Sequence, residues 1–385
     1  MENETHESVF VNVSKESIIE QFFIKKYDVI LLYVPVFLLA LTANMLVIAV
    51  VIKYHYMRSV TNYFLVNLSV ADLLVTMVCM PIAAWDAYTM LWNFGEITCK
   101  IAKYLQGVSV ASSVFTITAM AVDRYLAITQ PFGFCRWFNK KTTIIVIIVM
   151  WITSMVVFAP LLFVGVANED VLTDNLTLVF CQETWDNFYI SQDIFGIVCY
   201  IVMFAVPGAI MLFAYSLMGR KLCSVRPPFD NEGSCSTQQS YKLVRERKRV
   251  AWILLLLALV FAFCWLPYNT INLLIDTRNV KSLDVIDKMS TMKPYMLLLG
   301  HANSALNPVI YCVMSRNFRR SVKELIFFTR VSFVSRRSNR MQWVDSTGST
   351  LRGNHHRLKI LPAAMTNKRL SRLQSSQKTT RTCAV

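Results

Sequence analysis

The sequence predicts an all-α membrane protein, a seven-transmembrane helix bundle with a short amphipathic eighth helix. Three observations carry this reading. The 385-residue chain is 55% hydrophobic and only 16% charged, whereas a soluble domain carries nearer a quarter charged residues. Seven stretches reach the roughly 20 apolar residues that the hydrocarbon core of a bilayer requires. The basic residues between them concentrate in alternate connections.

The predicted spans run roughly over residues 29–52, 62–88, 97–129, 142–163, 190–217, 250–275 and 289–314. Residues 1–28 form a tail, 29–315 the bundle, 316–328 the eighth helix and 329–385 a disordered tail. The first 28 residues are polar and show no short apolar leader, so the first span is expected to act as its own insertion signal. The third span is the most polar, with Gln106, Ser109, Ser112, Ser113, Thr116 and Thr118. Such a helix is tolerated only inside a bundle, which places it at the centre. Pro35, Pro81, Pro160, Pro207, Pro267 and Pro308 interrupt spans, and membrane bundles accommodate such residues as kinks.

Orientation follows from charge. The segments after spans one, three, five and seven hold 30 of the 39 Lys and Arg. The positive-inside rule makes that side cytoplasmic and puts the N-terminus outside, in a multi-pass plasma-membrane protein. The N-x-S/T acceptors Asn3, Asn12 and Asn175 fall on the outer side, whereas Asn67 matches inside a span and is not expected to carry sugar. The net charge of +15 is thereby assigned to inner loops facing lipid, not to nucleic acid. Ten cysteines without C-x-x-C spacing argue against a zinc or redox motif. Cys99 opens the third span on the outer side and Cys181 lies in the second outer loop. Both face an oxidising compartment, which favours a bridge stapling that loop over the bundle mouth; the other eight are expected to be free thiols.

Asp72 lies mid-span, where a lone carboxylate costs at least a few kcal/mol. It is either a hydrogen-bonded packing residue or a cation or water site. Its candidate companions are Asn44, Ser113, Asn303, Ser304 and Asn307, short oxygen-bearing side chains suited to a small hard cation such as sodium. Asp123-Arg124-Tyr125 ends the third span at the inner face. There an adjacent acid and base neutralise each other until the arginine finds another partner; ordinary snorkelling at a helix end is the bland alternative. Cys264-Trp265-Leu266-Pro267 in the sixth span and Asn307-Pro308-Val309-Ile310-Tyr311 in the seventh combine a proline bend with an aromatic lever. These are bistable elements of the kind that allostery requires.

The joint order and spacing of Asn44, Asp72, Cys99, Asp123-Arg124-Tyr125, Trp151, Cys181, Pro207, Tyr215, Cys264 to Pro267 and Asn307 to Tyr311 resembles the rhodopsin-like G-protein-coupled receptors. The resemblance implies ligand-driven nucleotide exchange on a heterotrimeric G protein. It gives activation roles to Asp123, Arg124, Tyr125, Tyr215, Trp265, Pro267, Asn307, Pro308 and Tyr311, and a G-protein contact to Phe132. Within that class the stretches Met57 to Phe64, Val66 to Asp72, Cys99 to Val110 and Cys181 to Trp185 resemble orexin and allatotropin receptors. Their relatives, the neuropeptide FF, SIFamide and trissin receptors, are also similar. Tyr125 stands where the orexin and allatotropin groups carry tryptophan, which favours a trissin-type relative. Arg247 stands where many members place a glutamate that latches Arg124, and Glu246 is about 100° around the helix. No cysteine follows the eighth helix closely, so no palmitoyl anchor is expected there, and Cys383 does not fit a prenylation site.

By resemblance and position the ligand pocket takes Asp86, Gln106, Val110, Glu183, Trp185, Phe195, Tyr268, Asn269, Asn272, Lys293 and His301. Gln106 stands where amine receptors hold an aspartate, which demotes biogenic amines. His301 stands where opsins need lysine, which excludes a photoreceptor. Gln106 and Asn272 each donate and accept, as a peptide backbone or terminal amide requires; helix–helix hydrogen bonds are the alternative. The outer side carries 17 Asp and Glu against 9 Lys and Arg. Such a field favours a basic or amidated neuropeptide. A receptor for a lipid or other small molecule is the second reading. A transporter is the third, and only one deep charge argues against it. There is no H-E-x-x-H and no paired membrane aspartates, so an enzyme is not expected. The tail, basic and rich in Ser and Thr, offers Ser346 to Thr350 and Ser375 to Thr382 to receptor kinases and arrestin, or lies against anionic membrane lipids.

Overall fold

The computed structural model describes residues 27–89, 91–129, 139–173, 176–186, 188–224, 235–277 and 282–327. Asn3, Asn12, Asn175, Phe132, residues 225–234 of the third inner loop and the phosphorylation candidates lie outside them, as do the side chains of Glu246 and Arg247. The chain divides into two compact units, Met1–Val225 with Glu246–Lys323, and Arg226–Arg245 with Glu324–Val385. In the second, residues 235–245 and 324–327 are helical. The first holds the bundle.

Seven helices are long and apolar enough to cross a membrane. They are α1 (Tyr27–Lys53), α2 (Val60–Thr89), α3 (Gly95–Thr129), α4 (Lys140–Phe158, extended by a turn at Leu161–Val164), α5, α6 (Cys235–Asp276) and α7 (Leu283–Met314). Helix α5 is assembled from Gln192–Tyr200, a wide π turn at Ile201–Ala205 and Val206–Ser224. A further helix, α8, covers residues 316–327. Its Ser321 hydroxyl meets the Tyr56 hydroxyl at 2.8 Å, and Phe318 is buried.

Local chemistry sets the helix ends and bends. Ser59 caps α2 by accepting from the Asn62 amide, and Asn139 caps α4 by accepting from the Thr142 amide. The π turns at Val75–Cys79 and Ile201–Ala205 each end two residues before a proline, Pro81 and Pro207. A proline ring clashes with the carbonyl four residues back and leaves it without its N–H partner. Widening the preceding turn relieves both problems.

Burial ranks the helices as the polarity of the third span predicts. The apolar stretch of α3 is 61% buried, against 22% for α4 and for α5. Leu31, Leu212, Phe213 and Phe263 stand more than half exposed on the bundle surface, where only a lipid-like solvent satisfies them. Inside, polar side chains join helices. The Trp151 indole N–H donates to Asn67 Oδ1 at 2.8 Å, and Asn67 Nδ2 donates to Thr116 Oγ1 at 2.8 Å. Asn67 is thus engaged at both ends of its amide and buried, in keeping with its exclusion as a sugar acceptor.

The sequence alone predicts an outer loop between α4 and α5. It is an antiparallel hairpin, β1 (Gly165–Thr173) and β2 (Leu176–Glu183), pairing Gly165 with Glu183 and Ala167 with Cys181. The Cys99–Cys181 disulfide ties β2 to the start of α3. The Trp92 backbone N–H donates to the Val179 carbonyl at 2.8 Å, a second anchor. Cys79, Cys199, Cys264 and Cys312 are free thiols.

Candidate functional site

A cavity of about 590 Å³ opens between the helices at the end that carries the hairpin. Of the eleven residues named from sequence, nine line it: Asp86, Gln106, Val110, Glu183, Phe195, Tyr268, Asn269, Asn272 and Lys293. Trp185 and His301 do not. Trp185 is buried behind Phe195, ring centroids 4.9 Å apart, and its indole N–H donates to Glu183 Oε2 at 3.2 Å. His301 is fully buried between α1 and α6. Its Nδ1 meets the Tyr33 hydroxyl at 3.1 Å, and its ring lies 6.0 Å from that of Trp265. It therefore bears on the cavity through Trp265, which does line it.

Two charged wall residues were not singled out from sequence, Lys103 and Asp276. Lys103 Nζ lies 3.1 Å from Glu183 Oε1. Asp276 accepts from Gln192 Nε2 at 2.8 Å. The lining thus sets three carboxylates, Asp86, Glu183 and Asp276, against two ammonium groups, Lys103 and Lys293. Asp186 and Glu169 are exposed, so the acidic character of the cavity itself comes from helix ends as much as from the hairpin.

The floor is set by a close approach. A Cβ built on Gly300 would come within 2.8 Å of the Trp265 ring, so the absence of a side chain lets the indole seat against α7. Gly300→Ala is expected to cost about 1–3 kcal/mol by overpacking. A lower melting temperature of the purified protein checks this.

Midway down the bundle, Asp72 accepts from Asn307 Nδ2 at 3.0 Å and is buried. Asn44 Nδ2 donates to the Ala40 and Ser304 carbonyls at 2.9 and 2.8 Å. Ser113 donates to the Ser109 carbonyl. The buried oxygens Asn44 Oδ1, Ser69 Oγ, Asn303 Oδ1 and Asn307 Oδ1 lack a hydrogen-bond partner among the described residues. Unsatisfied acceptors in the same interior as a carboxylate fit a small hard cation or ordered water.

At the opposite end, Arg124 is held in place. Its Nε donates to Asp123 Oδ2 at 3.0 Å, and its Nη2 donates both to Asp123 Oδ2 and to Thr61 Oγ1 on α2. The Tyr215 and Tyr311 hydroxyls are buried and have no hydrogen-bond partner among the described residues. Tyr125 and Tyr215 pack on the small core of Ile128, Ala214 and Met218. Thr61 is the contact that sequence reading did not assign.

A ligand-sized cavity at one end, a proline-bent helix beneath it and a clamped arginine at the other end define a seven-helix membrane receptor. The chain matches the 7 transmembrane receptor (rhodopsin family) over residues 43–311 and belongs to that family. It is similar to a QRFP-like peptide receptor of Branchiostoma floridae, 32% identical over 76% of this chain and 76% of the relative. It is also similar to neuropeptide FF receptor 1 of Rattus norvegicus, 33% identical over 75% and 67% of the two chains. Neuropeptide FF receptor 2 of Mus musculus is 29% identical over 76% and 70%. Neuropeptide FF receptors are among the relatives that the sequence resembles on its motifs.

Proposed function

We propose that the chain is a receptor for an extracellular neuropeptide, basic or amidated, that promotes nucleotide exchange on a heterotrimeric G protein. The observation that carries this is the cavity wall, in which Asp86, Glu183 and Asp276 stand among the amides Gln106, Asn269 and Asn272. A peptide terminus needs both features, donors and acceptors for its amides and carboxylates for its cations. The relatives are named as receptors for a QRFP-like peptide and for neuropeptide FF, which supports the same ligand class. The hairpin end faces outward and the Arg124 end inward, as the distribution of basic residues implies.

In this reading the peptide fills the cavity and displaces Trp265. The bend at Pro267 then changes, and Arg124 leaves Asp123 and Thr61 for the G protein, with Tyr215 and Tyr311 closing behind it. A sodium ion held by Asp72, Ser113, Asn303 and Asn307 would neutralise the buried carboxylate and favour the resting state. Sugars on Asn3, Asn12 and Asn175, receptor kinases and arrestin on the tail, and membrane lipids complete the set of partners. The test is a panel of neuropeptides, with neuropeptide FF and a QRFP-type peptide included, on cells expressing the chain. A saturable calcium or cyclic AMP response is expected. A response confined to lipids or small non-peptide molecules would overturn the reading.

A further inference from the structure

We propose that Lys103 is a tethered guard of Glu183, a selectivity residue that an incoming ligand cation must displace. The inference rests on the cationic-peptide reading above. Both Glu183 carboxylate oxygens are engaged within the protein. Oε1 faces Lys103 Nζ at 3.1 Å and Oε2 accepts from the Trp185 indole. Lys103 and Glu183 are each about one quarter exposed, so their attraction is only partly screened.

The other two carboxylates of the wall are held differently. Asp276 has a neutral partner, Gln192. Asp86 lies within electrostatic reach of Lys103 and Lys293 but forms no ion pair within 4 Å among the described residues. Lys100, one turn earlier on α3, is taken by Glu96 and does not compete. Lys103 is therefore the ammonium that closes a carboxylate of the cavity. A ligand cation reaching Glu183 exchanges one ion pair for another instead of meeting a free charge. Weak entrants are rejected by that exchange, and only a ligand with further contacts along the wall prevails.

Cys199 lines the same cavity as a free thiol and provides a local reporter that needs no agonist. The rates at which a cationic and an anionic methanethiosulfonate modify Cys199 are read by mass spectrometry. The set is wild type, Lys103→Met, Glu183→Gln and the double variant, with Lys103→Gln as a second neutral variant. Lys103→Met is expected to raise the cation-to-anion rate ratio at least about tenfold, the factor for one unit charge roughly 6 Å away acting with opposite sign on the two reagents at the dielectric of water. In the Glu183→Gln background the same substitution is expected to have less than half that effect on a logarithmic scale. Equal gains in both backgrounds, or no gain in the first, overturn the proposal, since Lys103 is then a distant charge or a strut. The same receptors are challenged with neuropeptide FF, whose half-effective concentration is expected to fall with Lys103→Met. Silence of every peptide of the panel on every variant, with the reagent coupling present, overturns the ligand reading and leaves the guard standing.

Discussion

An Arg124→Ala receptor that reaches the cell surface at normal density is expected to lose agonist-driven nucleotide exchange by at least about tenfold. Thr61→Val is expected to do the reverse to the resting receptor. The guanidinium is held by one carboxylate and one hydroxyl, Asp123 and Thr61. A hydrogen bond to a charged group contributes about 1.5–3 kcal/mol. Removing the Thr61 share biases the equilibrium toward release by up to about tenfold for each 1.4 kcal/mol lost. Basal exchange should therefore rise several-fold in Thr61→Val, and Thr61→Ser, which keeps the hydroxyl, should stay near wild type. The position where a glutamate latch is common holds Arg247 here, which gives the α2 hydroxyl more weight in this chain. Nucleotide exchange on membranes without peptide measures both variants. A Thr61→Val receptor as quiet as wild type would remove Thr61 from the resting clamp.

Much of this architecture was legible in the sequence because lipid imposes a simple rule. A helix facing hydrocarbon must be apolar for about 20 residues, and the predicted spans match α1 to α7 to within a few residues at most ends. The larger departures are at polar ends: α5 runs on to Ser224, α7 begins at Leu283, and α6 begins at Cys235, beyond the extension over residues 241–249 that the basic stretch suggests. Hydropathy reports the solvent around a helix and not where its hydrogen bonds stop. The hairpin was missed for a related reason. Its strands mix polar with apolar residues, so no clear period of two survives over Gly165–Thr173.

The cavity wall was legible where a residue type was unusual for its position, as at Gln106 and Asn272. It was missed where a charge at an outer helix end was counted only in the overall field, as at Lys103 and Asp276. Helical geometry held the missing signal. Lys103 lies three residues before Gln106 and seven before Val110, and Asp276 lies four after Asn272 and eight after Tyr268. Both fall on the face already assigned to the pocket. His301 errs in the opposite direction. Its position in the chain suggests the pocket, but Gly300 admits the Trp265 ring and the histidine turns to Tyr33 instead.

Loss of the Cys99–Cys181 bridge is the other change with a large expected effect. The bridge closes 82 residues of chain and places β2 beside α3, which is what sets Glu183 opposite Lys103. Without it the hairpin keeps the Trp92 N–H to Val179 carbonyl bond, the Thr184 N–H to Val164 carbonyl bond and the Lys103–Glu183 pair. A neutral hydrogen bond contributes about 0.5–1.5 kcal/mol, and a partly exposed ion pair about 0–1 kcal/mol. Ordering a strand costs about 1–2 kcal/mol per residue, so these contacts and the packing of Trp185 on Phe195 hold β2 to the bundle less tightly without the covalent tie. The paired variant Cys99→Ala with Cys181→Ala is expected to fold as a helical bundle. Its peptide response should weaken by about a hundredfold or more, the factor for roughly 3 kcal/mol of lost preorganisation. Basal exchange, which depends on Arg124 and its partners at the far end, should change little. Concentration–response curves for a peptide agonist, taken beside basal exchange on the same membranes, separate the two. Equal loss of both would mean that the hairpin holds the whole bundle together and is more than a wall of its cavity.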